Sequence, residues 1–87
     1  MKSKNTYQFK LVCRCPNDDA VNIYNVQIFA DYQIQVEEFI AFQNEIYNQK
    51  LYQEDIWNLL AEKYGNSPEY DNIVVTGRHL DVEVVTK

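Results

Sequence analysis

The stretch VNIYNVQIFADYQIQVEEFIAFQNEIY, residues 21–47, contains the change of period that decides the fold. In its first part Asn22, Tyr24, Val26, Ile28 and Ala30 alternate with the residues between them, so one face of an extended strand, Val21 to Ala30, is mostly apolar. From Gln35 the spacing becomes three and four: Val36, Phe39, Ile40, Gln43, Ile46 and Tyr47 fall on one side of a helix. A strand that gives way to an amphipathic helix within a few residues needs a sheet on one side of the connection and a helical layer on the other.

Working outward from that junction gives the remaining elements. Upstream, Tyr7, Phe9, Leu11, Cys13 and Cys15 alternate with Gln8, Lys10, Val12 and Arg14, which predicts a first strand over residues 6–14. Pro16-Asn17-Asp18-Asp19 is turn chemistry and joins the two strands as a hairpin. Downstream, Asn48-Gln49-Lys50 breaks the first helix. Tyr52, Ile56, Leu59, Leu60 and Tyr64 then mark a second helix, with Glu54 and Asp55 at the positive end of its dipole and Gly65 placed to end it. Asn66-Ser67-Pro68 reads as a loop and Asp71 to Thr76 as a third strand. In the fourth, Leu80, Val82 and Val84 alternate with Asp81 and Glu83.

The expected fold is therefore α+β: a single ββααββ domain over residues 1–87, a four-stranded antiparallel sheet with two helices on one face. A chain of 87 residues makes one domain, and 46% hydrophobic residues can build a real core. At this size only roughly 60% of the unfolded surface is buried. Val12, Val74 and Val85 add apolar surface on the face without helices. Both points favour a homo-oligomer. The formal charge of −5, with Lys and Arg scattered, argues against broad contact with nucleic-acid phosphates. No segment reads as a signal peptide or membrane span, so a cytoplasmic protein without membrane association is expected. Cys13 and Cys15 lie on one side of a strand with Cα atoms roughly 6.6–7 Å apart, at or past disulfide reach, and are expected as free thiols.

Several residues carry chemistry. Cys15, before Pro16, is a candidate nucleophile if a base or a lowered pKa activates it; as an unactivated residue it is a small hydrophobe at a strand end. Asp18 and Asp19 are candidate acid–base partners and equally ordinary turn formers. Asn22 is a candidate ligand contact or a strand residue. Glu54 with Gln53, heading the second helix, suits two parallel N–H bonds from a heterocycle such as guanine; otherwise it only favours the helix start. Glu37 and Glu38 pose the same choice at the first helix. Cys13, Cys15 and His79 have poor spacing for zinc, and two glycines leave no phosphate-binding loop, so no metal is expected.

Element order and motif positions together resemble the tunnelling fold, and within it the 7-cyano-7-deazaguanine reductase (QueF) family and its short amidine-forming relatives. Phe9-Lys10-Leu11-Val12-Cys13-Arg14-Cys15-Pro16 resembles the family strand that ends in its catalytic Cys-Pro. Val36-Glu37 resembles the family Val-Glu at the head of helix one, and Leu51-Tyr52-Gln53-Glu54-Asp55 the Phe-His-Glu-Asp opening of helix two. Gly77-Arg78-His79-Leu80-Asp81-Val82-Glu83-Val84 resembles the closing strand. The resemblance implies that the Cys15 thiolate attacks a nitrile carbon and forms a thioimide, that Glu54 anchors the deazaguanine edge, and that Glu37 assists. It implies reduction by NADPH in one branch. In the other branch ammonia attacks instead, without a cofactor, on the base already in transfer RNA. It also implies sites at subunit interfaces. Three positions depart from the pattern. Asn22 stands where the family has Asp, so Asp18 or Asp19 would take that role; Gln53 stands where it has His; and Glu38-Phe39-Ile40-Ala41-Phe42 replaces the Ser- and Lys-bearing segment that serves NADPH. The alternative function is a non-catalytic acidic binding or inhibitor protein on the same scaffold.

Overall fold

The computed structural model describes residues 4–65 and 72–87. The elements are β1 (Asn5–Arg14), β2 (Val21–Ala30), α1 (Val36–Ile46), α2 (Gln53–Tyr64), β3 (Ile73–His79) and β4 (Val82–Thr86). The strands form one antiparallel sheet in the order β1-β2-β3-β4, so the chain has the α+β, ββααββ architecture its periodicity predicts. The Asn66-Ser67-Pro68 loop and the predicted start of strand three at Asp71 lie outside the described residues.

Register follows from the alternation of apolar side chains. Leu11 pairs with Tyr24 and Cys13 with Asn22, while Val26 pairs with Val75 and Ile28 with Ile73. This brings the apolar faces of three strands together beneath the helices. Leu11, Cys13, Tyr24, Val26, Ile28, Ile73 and Val75 pack there against Phe39, Phe42 and Ile46 of α1 and Ile56, Leu60 and Tyr64 of α2. Phe39 is the hub, stacked on Phe9 at 4.8 Å between ring centroids and tilted against Tyr7 and Tyr64. The opposite face of the sheet is open and holds Ile23 and Val85, 56% and 45% exposed, with Lys10, Arg14, Arg78 and Glu83.

Three features differ from the expectation. The buried side of α1 is Phe39, Phe42 and Ile46, while Val36, Ile40 and Tyr47 are half or more exposed. This rotation buries both Phe39 and Phe42 and leaves Gln43 at the β1 edge, where its Nε2 donates to the Lys10 carbonyl at 2.8 Å. Next, β3 runs on through Gly77-Arg78-His79, and Leu80 is no part of a strand. It sits in the two-residue turn before β4 with φ 56° and is 96% exposed, a left-handed conformation that costs a leucine about 1–2 kcal/mol. Finally, Gly65 ends α2 in an extended conformation (φ −69°, ψ 144°), its N–H donating to the Ala61 carbonyl.

The two hairpins do not stay joined along their whole length. The β2–β3 ladder covers only Asn25–Ile28 and Ile73–Thr76. Beyond Asn25 and Thr76, the Val21–Tyr24 end of β2 and the Gly77–His79 end of β3 run without paired residues between them. Gln53, the first residue of α2, bridges the far hairpin here. Its Nε2 lies 3.0 Å from the Val75 carbonyl, 2.8 Å from the Val84 carbonyl and 3.1 Å from Thr86 Oγ1. Gly77 is the position that admits this amide: a Cβ there would meet Gln53 Oε1 at 2.6 Å and the Tyr24 ring at 2.7 Å. Gly77→Ala is expected to destabilise the domain by about 1–3 kcal/mol through overpacking, read as a lowered urea midpoint at unchanged slope. An unchanged midpoint would mean that the amide and ring move aside freely.

Candidate functional site

The turn between β1 and β2 sets the geometry around Cys15. The Cys15 N–H donates to the Ala20 carbonyl at 2.8 Å and the Asp19 N–H to the Cys15 carbonyl at 2.9 Å, with Asp19 in the left-handed region at φ 61°. This tight closure sends the two aspartates in different directions. Asp18 Oδ1 accepts the Ala20 N–H at 3.0 Å, and the Cys15 thiol is close enough to the same carboxyl to help lower its pKa. Asp19 turns to the cations, 3.9 Å from both Arg14 and Lys50, and its carbonyl accepts from Arg14 Nη1 at 2.9 Å. Of the two candidate acid–base residues, Asp18 is thus the one whose pKa the thiol influences, while Asp19 faces Arg14 and Lys50.

The Asp18 carboxyl is held below the usual carboxylate range, chiefly by the Ala20 N–H, then by the Cys15 thiol, with a smaller pull from the charge of His79. The two cysteines differ in kind. Cys13 is fully buried with its thiol pushed up to about 11 by burial; Cys15 is half-buried at the turn; both are free thiols.

The N-terminus of α2 is pinned to the same end of the domain. The Leu51 N–H donates to the Arg14 carbonyl at 3.1 Å, and Tyr52 Oη donates to Asn17 Oδ1 at 2.9 Å. The Asp55 carboxylate accepts the Tyr52 N–H and closes the first turn. Glu54, the second residue of α2, is exposed at this end, and its carboxylate is unengaged among the described residues. Gln53 beside it is buried, and its amide hydrogens are committed to β3 and β4. Its Oε1 is buried without a hydrogen-bond partner among the described residues, against Gly77 and Tyr24. Asn22, half-buried, donates to Tyr24 Oη at 3.3 Å between the two hairpins. Burial raises the Tyr24 hydroxyl pKa, so it stays protonated at neutral pH.

Glu37 is not part of this cluster within one chain. The chain enters α1 where the Ile34 N–H donates to Tyr7 Oη, and α1 ends where the Ile46 carbonyl lies 4.0 Å from Cys13 Sγ. Glu37 therefore stands one helix length, about 16 Å, from the Cys15 end. Its neighbour Glu38 accepts from Tyr64 Oη at 3.4 Å. A cavity of about 540 Å³ lies at that far end, lined in part by Lys4, Phe29, Tyr32 and Tyr64, and does not include Cys15.

The sheet adds one residue that sequence spacing did not connect with the thiol. His79 is 64 positions from Cys15 along the chain, yet it closes β3 at the Cys15 end and its charge reaches Asp18. Only strand register reveals this. Among the described residues no three His, Cys, Asp or Glu side chains group to hold a metal ion. Comparison with models of known families, with curated proteins and with solved structures returned no match.

Two outcomes follow from this geometry. Iodoacetamide should label Cys15 in the native protein while Cys13 reacts only on unfolding; equal native rates would contradict the burial of Cys13. Because folding lowers the Asp18 pKa, its stabilising effect is fully present above the ordinary carboxylate value of about 3.9 and is lost as pH falls through the lowered one. The stability gap between wild type and Asp18→Asn should therefore close on acidification, checked by denaturant titration at a series of pH values. A gap that persists below pH 2 would contradict this.

Proposed function

We propose that the chain forms a covalent thioimide between Cys15 and the nitrile of a 7-cyano-7-deazaguanine base, free or carried in transfer RNA, on a tunnelling-fold scaffold. The observation that carries this reading is that the Cys15 thiol and the Asp18 carboxyl share one turn, close enough for the thiol to help lower the Asp18 pKa. It offers a carboxylate as acceptor for the thiol proton, a group that Asn22 cannot provide. Glu54 lies at the same end and is free to take two N–H bonds from the edge of the base. Gln53 acts by holding the start of α2 in place and does not contact the base. The separation of Glu37 from Cys15 supports a homo-oligomer in which Glu37 of a second copy completes the pocket, and the open sheet face gives such an assembly apolar surface to cover.

Amidine formation is the favoured outcome: ammonia adds to the thioimide carbon and the Cys15 thiol leaves. In the segment that would serve NADPH, Phe39 and Phe42 are core residues and Glu38 is tied to Tyr64. These side chains do not fit a dinucleotide phosphate. Lys10, Arg14 and Arg78 share the open face, while α1 and α2 carry Glu37, Glu38, Glu45, Glu54, Asp55 and Glu62 against Lys63 alone. That acidic helical layer favours the second reading, a non-catalytic protein that caps a basic partner. No helix among the described residues is long and apolar enough to cross a membrane, and a cytoplasmic site of action is part of this proposal.

Intact mass after incubation with 7-cyano-7-deazaguanine decides between the readings. The expected result is a single adduct, lost in Cys15→Ala and kept in Cys13→Ala. Folded protein without an adduct, on both the free base and a transfer RNA that carries it, would leave the binding-protein reading. Glu54→Gln should weaken base binding by roughly ten- to a hundredfold, the usual weight of a charged hydrogen bond; unchanged binding would remove Glu54 as the anchor.

A further inference from the structure

The two edges of the sheet differ. Along the second half of β1 the outward backbone groups are taken up by α1 and the α1–α2 connection. The Arg14 N–H donates to the Gln49 carbonyl, and the Arg14, Val12 and Lys10 carbonyls accept from Leu51, Asn48 and the Gln43 amide. The other edge is β4. His79 pairs with Val82 across the two-residue turn, so His79–Val82, Gly77–Val84 and Val75–Thr86 are the hydrogen-bonded pairs of that ladder. Glu83 and Val85 therefore turn their N–H and C=O groups outward. The Gln53 amide agrees with this phase, because one nitrogen reaches the Val75 and Val84 carbonyls together between the two strands. Among the described residues nothing bonds the outward groups of Glu83 and Val85.

A free strand edge is usually blunted by proline, a bulge or charge. Val82-Glu83-Val84-Val85-Thr86 has no proline, its ladder with β3 runs without a bulge, and its one charge, Glu83, stands opposite Arg78. Val82, Val84 and Val85 are all exposed. We propose that β4 pairs antiparallel with β4 of a second copy, about a two-fold axis at Val84, and joins two domains into one continuous sheet. Charge selects this partner and this register. With Val84 opposite Val84 of the second copy, Glu83 shares backbone bonds with Val85, Val82 faces Thr86, and Asp81 faces Lys87 at both ends of the seam. An axis at Glu83 would set two Glu83 carboxylates directly opposite each other, which opposes association. An axis at Val85 would leave Asp81 and Val82 outside the seam. Side-chain alternation keeps the helices of both copies on one side of the joined sheet. The seam lies at the opposite edge from β1 and Cys15, and it does not rest on the chemistry proposed there.

Cysteine cross-linking reads the register. At the axis the two Val84 positions form a pair without mutual hydrogen bonds, their Cα atoms about 4.5 Å apart and within disulfide reach. The two Val82 positions lie four residues apart along the seam, about 13 Å. Val84→Cys and Val82→Cys are each made in Cys15→Ala, where Cys13 stays buried, and exposed to a mild oxidant. Val84→Cys is expected to give a disulfide-linked dimer and Val82→Cys none. Sedimentation of wild type over a wide range of concentration should reach an even number of chains. Asp81→Lys should weaken pairing by about fivefold or more, and adding Lys87→Asp should restore it to within about twofold of wild type. Asp81 and Lys87 are exposed, so the charge swap still decides if a cysteine variant fails to fold. Equal cross-linking of the two cysteine variants, an odd number of chains or a single chain throughout, or a swap that restores nothing would each overturn the proposal.

Discussion

The Gln53 side-chain amide is the contact on which the rest of the site depends. It stands at the first position of α2 and reaches Val75 and Thr86 on neighbouring strands as well as Val84. Buried amide hydrogens left unpaired would cost about 1–3 kcal/mol each, so the contact locks the angle at which α2 leaves the sheet. That angle carries Tyr52 to Asn17 and Glu54 to the Cys15 end. Gly77 is the complementary constraint, because only a residue without a Cβ lets the amide and the Tyr24 ring meet over the strand. Beside this tie the ladder between β2 and β3 ends, at Asn25 and Thr76.

Much of the fold was legible because period two and period three-four are unambiguous where β-branched and aromatic residues repeat. Strand two matched its predicted span, and strand one began one residue earlier, at Asn5. Helix one was legible as a helix but not in its rotation. Phe39 and Ile46 of the expected stripe are buried, but Phe42 joins them in place of Val36, Ile40 and Tyr47, because packing two phenylalanines against the sheet buries the larger apolar area. The β3–β4 turn was hidden because it holds Leu80 and Asp81, with no glycine or asparagine to announce it.

The candidate site was legible in part for the same kind of reason. Cys15 and Asp18 are three residues apart in one turn, so local chemistry joins them, although turn composition alone did not separate Asp18 from Asp19. The backbone does that, by placing Asp19 in the left-handed region and sending its carboxylate to Arg14 and Lys50. The nearness of His79 to Asp18 depends on the pairing of strands far apart in sequence, and Glu37 is excluded from the Cys15 end by the direction of α1. Neither is a property of any short stretch of sequence. The domain thus has a half-buried cysteine near a carboxyl group at one end, Glu37 and Glu38 at the other, and a sheet face that neither helix covers.

The most direct test of this account is a crystal structure of the protein after reaction with 7-cyano-7-deazaguanine. The account predicts continuous density from Cys15 Sγ to the former nitrile carbon, Asp18 beside the sulfur, and Glu54 on the edge of the base. It also predicts Glu37 of a second copy closing the pocket, with Gln53 still bonded to Val75 and Val84. A base bound away from Cys15, or a Gln53 amide rotated off the strands and onto the ring, would contradict it.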